Sequence, residues 1–476
     1  MRATRLLFFL TLILLARAAV AGDPGAEAPP ANAPESASTA EIERLRKVML
    51  EEQEVIANCM KRIDELEKTK TSQDKAGINS VKLNGDFRYR FEDIHTDPKT
   101  FNTVGVRGPL KKADQTKDRF RHRLRLRLGF EWTVNDEVTV GGRLATSMNA
   151  GAMNSGDPIS YNQTMTDAFS KKGVYLDTAY FDYHPARVPG LKVMGGKMSN
   201  PFYVPGKTQM IWDQDLTPEG LAVTYTNTME SSPTGPVYRE VPLELAATAG
   251  YFLVQERSID VETQLLGVQG SAKYNFEADG STSLMVGASY YDYGHLKGFP
   301  PLLDPANSFG NALSLAVLGG SALYGDDFNI VEGFTEFTIP VFERPLALYG
   351  DIAYNTAKID KNYDGNNSGA AWALGASYGR CVTPRSWSLH YEYRDLGRDA
   401  VVGAFTDSDF GGGGTNSKGH VLGADFMLLK NTRLAVTYFI NHNMGSDWLR
   451  MVPTFGGKEK VDGPYQRLQV DLNFKF

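Results

Sequence analysis

The sequence predicts an all-β chain: a transmembrane antiparallel β-barrel of about sixteen strands, preceded by a short α-helical coiled coil. Three observations predict it. An export signal opens the chain, no later apolar run reaches the roughly 18 residues of a membrane-spanning helix, and from Val81 to the end apolar residues recur with a period of two.

The signal, residues 1–21, is read from Arg2 and Arg5, the apolar run Leu6 to Leu15 and the small-residue triplet Ala19-Val20-Ala21. Cleavage after Ala21 removes Arg2, Arg5 and Arg17 and takes the net charge from −6 to −9, so the exported chain is acidic. Residues 22–40 follow, rich in Ala, Pro, Glu and Ser without periodicity, and read as a flexible linker.

A heptad pattern occupies 41–70. Ile42, Met49, Ile56 and Ile63 fall at a; Leu45, Glu52, Cys59 and Leu66 fall at d, with charged flanks such as Arg44, Arg46, Lys61 and Glu67. A helix of this length is marginal alone and needs a partner to bury its stripe, which points to a self-associating coiled coil in the periplasm. A single amphipathic helix lying on the barrel is the competing reading. Cys59, at a d position, would meet its copy in a neighbouring chain, and with Cys381 the only other cysteine no disulfide scaffold is available.

The barrel is expected over 79–476. Its clearest strand alternates Leu124, Leu126, Leu128, Phe130, Trp132 and Val134 with Arg123, Arg125, Arg127, Gly129 and Glu131. A helix would scatter those arginines around its circumference, whereas a strand puts them all on one face. The closing strand sets Leu468, Val470, Leu472, Phe474 and Phe476 against Arg467, Gln469, Asp471, Asn473 and Lys475. Runs of this kind predict strands near 81–92, 119–134, 137–147, 174–184, 190–198, 219–227, 243–254, 263–276, 281–293, 328–341, 345–357, 369–380, 386–395, 419–430, 432–441 and 464–476. Connections after even-numbered strands are mostly short and those after odd-numbered strands mostly long, the asymmetry of a barrel whose turns face the periplasm; 228–242 and 255–262 fit it less well. A mean hydropathy of −0.31 agrees with lipid-facing apolar residues alternating with polar ones. Trp132, Tyr183, Tyr225, Tyr274, Tyr354, Tyr378 and Tyr393, near strand ends, are expected to form interfacial girdles, the other reading being sandwich core.

The opening strand Leu83-Asn84-Gly85-Asp86-Phe87-Arg88-Tyr89-Arg90 and the run Arg119-Phe120-Arg121-His122-Arg123-Leu124-Arg125 resemble the putative porins of Gram-negative bacteria. So do Gly195-Gly196-Lys197-Met198-Ser199-Asn200-Pro201-Phe202 and Trp212-Asp213-Gln214-Asp215-Leu216-Thr217-Pro218-Glu219-Gly220. The likeness covers nearly the whole mature chain. It implies an outer-membrane pore, a trimer as in many porins of this size, and is nearly silent about the solute; small hydrophilic solutes or ions are expected to pass, and a homo-oligomer to join through coiled coil and barrel wall. The same resemblance implies that the loop 199–218 folds into the barrel, so that Asp213 and Asp215, with Glu219 just beyond, form an acidic constriction facing the arginines. An ordinary exposed acidic loop is the alternative.

Arg88, Arg90, Arg121, Arg123, Arg125, Arg127 and Arg143 are the sharpest chemical feature. Projecting into a water-filled lumen, they stay hydrated and sort solutes by charge; a merely solvated wall would look the same in sequence. A nucleic-acid role does not suit an exported acidic chain whose arginines alternate with leucine. Asp360-x-Asn362-x-Asp364-Gly365 opens like a calcium loop, but Ala371 stands where the bidentate Glu belongs. The histidines lack metal-ligand spacing, no c-type haem motif occurs, and no strained G-x-S-x-G elbow is expected, so neither metal, cofactor nor catalytic residue is predicted. The reading is therefore a passive diffusion channel. A second reading makes the barrel an anchor and the coiled coil a tether to the cell wall or a periplasmic partner.

Overall fold

The computed structural model describes residues 61–62, 81–96, 118–148, 155–166, 168–229, 243–277, 279–305, 307–315, 322–357, 369–444 and 463–476. The chain divides into two units, Met1–Ser80 and Val81–Phe476. Of the first, only Lys61 and Arg62 are described, both helical; the expected signal, linker and coiled coil otherwise lie outside the described residues, as do Cys59 and the turn 360–365.

The second unit is a closed, antiparallel barrel. Its sixteen wall strands are β1 (Val81–Thr96), β2 (Arg119–Thr133), β3 (Val138–Thr146), β4 (Val174–Tyr183), β5 (Leu191–Lys197), β6 (Glu219–Met229), β7 (Leu243–Gln255), β8 (Thr263–Asn275), β9 (Ser283–Gly294), β10 (Phe328–Val341), β11 (Arg344–Asn355), β12 (Ala370–Gly379), β13 (Trp387–Leu396), β14 (Ser417–Leu429), β15 (Thr432–Asn443) and β16 (Gly463–Lys475). Each pairs with its neighbours in sequence, and β1 pairs with both β2 and β16. Closure leaves no edge. In hydrocarbon each unpaired backbone group would cost several kcal/mol, which is why period-two segments of this composition must end as a cylinder.

Alternation decides which side of the wall each residue meets. On β2, Leu128, Phe130 and Trp132 are 46%, 44% and 46% exposed on the outer face, while Arg123 between them in parity is buried inside. On β16, Arg467, Gln469, Asp471 and Asn473 are buried on the lumen side of the same alternation. Closure itself depends on a close approach: Gly85 and Phe476 exchange both backbone hydrogen bonds, at 2.9 and 3.1 Å. A Cβ on Gly85 would stand 2.5 Å from the Phe476 ring and 2.8 Å from the Arg127 carbonyl, so glycine is required there.

The turns at the end carrying the termini are short, apart from the connection 230–242. Between β10 and β11 only Phe342 and Glu343 intervene, both left-handed at φ 48° and 62°, the paired geometry that lets a two-residue hairpin follow the strand twist. Three bulges interrupt the ladders, at Arg143/Leu144, Leu253/Gln255 and Met427/Leu429. At the other end the long connections do not all project away. Those at 147–173, 198–218, 295–327 and 397–416 contribute buried side chains, and an apolar cluster of Phe202, Met210, Ile211, Trp212, Phe405 and Phe410 packs with Phe252, Tyr291, Phe328 and Ile330 of the inner wall. The core of this barrel is built jointly from loops and the inner face of the wall.

Candidate functional site

The basic ladder is set by register. β1 and β2 place Asp86 opposite Arg127, Arg88 opposite Arg125, Arg90 opposite Arg123 and Glu92 opposite Arg121, all on the lumen side. β16 adds Lys475, Asn473, Asp471 and Gln469 opposite Asp86, Arg88, Arg90 and Glu92. The predicted arginines are thus brought together, but interleaved with acids. Arg90 is held bidentately by Asp471, at 2.7 and 2.7 Å. Glu92, fully buried, takes Arg121, Arg123 at 3.4 Å and Arg467 at 2.7 Å. Asp86 takes Arg125 at 2.8 Å and Arg127 at 2.7 Å, and Asp177 on β4 takes Arg143. Guanidinium groups removed from bulk water need such charge-assisted, forked partners. Arg467, 2% exposed, belongs to the same cluster although sequence reading left it out; its lumen parity on the closing strand was the available signal.

Three loops lie against this wall. Residues Gln163–Thr164 pair with Arg123 and Leu124 of β2. That pairing lays Tyr161 between Arg127 and Arg143, whose guanidinium carbons stand 5.3 and 5.5 Å from its ring centre. In the loop 198–218, Asp213 is 4% exposed and accepts the backbone N–H groups of Asp215 at 2.8 Å and Ser408 at 3.0 Å. Burial, with Asp215 and Asp407 close by, raises its carboxyl well above the ordinary carboxylate range. Asp215 accepts the Tyr161 N–H at 3.2 Å and acts electrostatically on Arg88 and Arg125. Glu219 lies elsewhere. It is the first residue of β6 and pairs with Lys197 of β5 at 2.8 Å.

The loop 397–416 carries no periodic signal in the sequence, yet most of it is buried. The Asp213 N–H donates to the Phe405 carbonyl at 2.7 Å and the Asp407 N–H to the Gln209 carbonyl at 3.1 Å, which locks the two loops together. Asn311 clamps it from the loop 295–327, donating to the carbonyls of Arg398 at 2.7 Å and Val401 at 2.9 Å. Asp409 then reaches the basic wall, 2.8 Å from Arg467 and 3.1 Å from Arg90.

The opposite wall is acidic. β10 and β11 stand half-way round the closed sheet from β2 and β3. There Tyr291 Oη donates to Glu332 at 3.2 Å, Tyr203 Oη to Glu336 at 3.0 Å and, from β11 to β13, Tyr349 Oη to Glu392 at 3.0 Å. Asp351 adds a fourth carboxylate, itself buried like Glu332 and Glu392. Arg394 is the cation among them, 2.5 Å from Glu392. These acids sat at polar positions of predicted strands, so lumen parity could have found them, whereas their opposition to the arginines needed the strand order.

Among the described residues no group of His, Cys, Asp and Glu has metal-holding geometry. Gly375-Ala376-Ser377-Tyr378-Gly379 spells G-x-S-x-G, but it runs as extended strand through β12 instead of turning sharply into a helix. The His390 ring opposite Ser377 lies over Gly423 of β14.

A closed sixteen-strand barrel with an apolar outside and a charged lumen is the architecture of an outer-membrane channel. The chain belongs to the family described as "Putative porin", whose model matches residues 52–302 and 344–476. Among solved structures it is similar to the outer membrane channel DcaP of Acinetobacter baumannii, at 16% identity and a TM-score of 0.41 over 84% of this chain and 98% of that one. Others are OmpT, an outer membrane protein of Vibrio cholerae (10% identity, TM-score 0.40, 84% and 98% covered), and a triple mutant of the Rhodopseudomonas blastica porin (13%, 0.37, 83% and 100%). No curated protein matches.

Proposed function

We propose that the protein is a passive diffusion channel for small hydrophilic solutes, which cross between a basic wall and an acidic one and are sorted by size and charge. The observation that carries this reading is the opposition of two sets of lumen side chains. Arg88, Arg90, Arg121, Arg123, Arg125, Arg127 and Arg143 stand on β1 to β3, and Glu332, Glu336, Asp351 and Glu392 on β10, β11 and β13. Fixed charges of opposite sign across a lumen orient dipolar solutes, and neither wall asks for a cofactor or a catalytic residue. Asp213 and Asp215 of the loop 198–218 narrow the passage from within, Asp215 on the arginine side. In this reading the coiled coil 41–70 stays in the periplasm and joins chains into a homo-oligomer, with the barrel wall as the second contact.

Reconstitution into planar bilayers tests it. Discrete conductance steps are expected, with a non-zero reversal potential in a salt gradient; a protein that inserts without conducting contradicts the reading. Asp215→Asn should move the reversal potential toward anions, because it removes a loop carboxylate that acts electrostatically on Arg88 and Arg125. Asp213→Asn should move it little, since that carboxyl is committed to two backbone N–H groups.

A further inference from the structure

One row of the lumen gathers cations without a carboxylate of its own. The registers place Arg433 of β15, Asn473 of β16, Arg88 of β1 and Arg125 of β2 side by side across four neighbouring strands. In the next row Arg90 has Asp471; in the row beyond on the other side, Asp86 stands between Lys475 and Arg127. Arg88 spends its short hydrogen bond on the neutral Asn162 Oδ1, at 2.5 Å, and its nearest carboxylate is Asp471 at 3.7 Å, already bidentate to Arg90. Arg125 shares Asp86 with Arg127, and Arg433 has Asp425 at 3.4 Å. Asp215 faces Arg88 and Arg125 from the loop.

Two donors in this row have no acceptor among the described residues: Arg88 Nε and Asn473 Nδ2, the latter on a side chain 7% exposed. Like charges directly opposite on an antiparallel pair cost stability, and so do buried donors without acceptors. Both costs fall when an anion with several lone pairs enters. A planar or tetrahedral oxyanion matches the forked donors of two neighbouring guanidinium groups and leaves an oxygen for an amide.

We propose that Arg433, Asn473, Arg88 and Arg125 form a binding subsite for a small oxyanion, a carboxylate or phosphate group, at which such a solute pauses in transit. The proposal rests on the channel reading above. Asn473 is its discriminating residue, because an aspartate there would complete the salt-bridge pattern of the adjoining rows and exclude an anion.

The test uses the full-length protein in planar bilayers, with chloride current recorded while sodium phosphate or sodium acetate replaces chloride at constant ionic strength. Saturable block by either anion is expected, the stronger blocker identifying the group preferred. Arg88→Gln and Arg125→Gln should each raise the half-blocking concentration about tenfold, the loss of one charge-assisted hydrogen bond. Asn473→Asp should abolish the block, while Lys273→Gln, on β8 across the lumen, should leave it unchanged. Chloride conduction with no saturable block by either anion overturns the subsite and leaves the channel standing, as does a block that Arg88→Gln does not weaken. Absence of all conductance instead sinks the channel reading.

Discussion

Asp409 reaches the barrel wall from a loop, and its carboxylate is shared by Arg467 at 2.8 Å, Arg90 at 3.1 Å and the Gln469 amide at 2.8 Å. Burial works against its charge, but Arg467 and Arg90 outweigh burial and hold the carboxyl below the ordinary carboxylate range. A group lowered in this way contributes stability above its unfolded value, and loses it as pH falls through the folded one. Asp409→Asn leaves two buried guanidinium groups short of a partner, and should cost about 3–5 kcal/mol. A lowered unfolding temperature of the barrel in detergent, followed by heat-dependent gel migration, would show it; an unchanged temperature would contradict it. Asp213 behaves with the opposite sign. Its raised carboxyl favours the protonated fold, so its contribution is complete in acid, below the unfolded value of about 3.9, and lost as pH rises through the folded one. The lock between the loops 198–218 and 397–416 should therefore loosen as pH rises. Asp213→Asn, neutral at every pH, should flatten that dependence in a conductance series from acid to alkaline buffer; parallel curves would refute it.

The loop 397–416 packs against the loop 198–218 and the basic wall, and its chain path depends on Gly411 to Gly414, with φ of 57°, 83°, 100° and 77°. At Gly414 a Cβ would stand 2.1 Å from the Phe309 carbonyl oxygen, in addition to the strain of that backbone region. Gly414→Ala should dislodge the loop from Asn311 and Asp213 and raise single-channel conductance, while the barrel still inserts; conductance equal to the parent's would show that this loop does not narrow the passage. The strands were legible in sequence nearly residue by residue, because each lies between lipid and water and carries both environments in its alternation. This loop was not. Val401, Val402, Ala404 and Phe405 have no periodicity, and their burial depends on Phe202, Met210 and Trp212 from a loop almost two hundred residues earlier. The opposite error occurred at Glu219, whose proximity in sequence to Asp213 and Asp215 suggested a shared role, although the start of β6 takes it to Lys197.

At the scale of the whole molecule, closure converts sequence distance into contact. Arg90 and Asp471 are 381 residues apart and form the best ion pair of the wall only because β1 meets β16. The same closure sets β10 and β11 across from β2 and β3, and so places the acids opposite the arginines. Since every described wall strand and lumen charge lies within Val81–Phe476, removal of residues 41–68 should leave conductance steps unchanged. Their loss would instead favour a tether in which the N-terminal segment is the working part. The same deletion, compared with the full chain by light scattering, reads whether that segment joins copies.

The sequence by itself determined the strands, their number, the alternation of short turns and long loops, and the face on which each arginine stands. All of these are local, since a residue's parity on a strand is decided by its immediate neighbours and by the two solvents on either side. Only the tertiary structure decided that most of the arginines are neutralised by Glu92, Asp86, Asp177, Asp471 and Asp409, that loop side chains pack against the inner wall, and that a row around Asn473 is left without a carboxylate. Those outcomes turn on which strands become neighbours when the sheet closes and on which loop side chains fold inward, and Coulomb pairing over a few ångströms leaves no periodic trace in the chain.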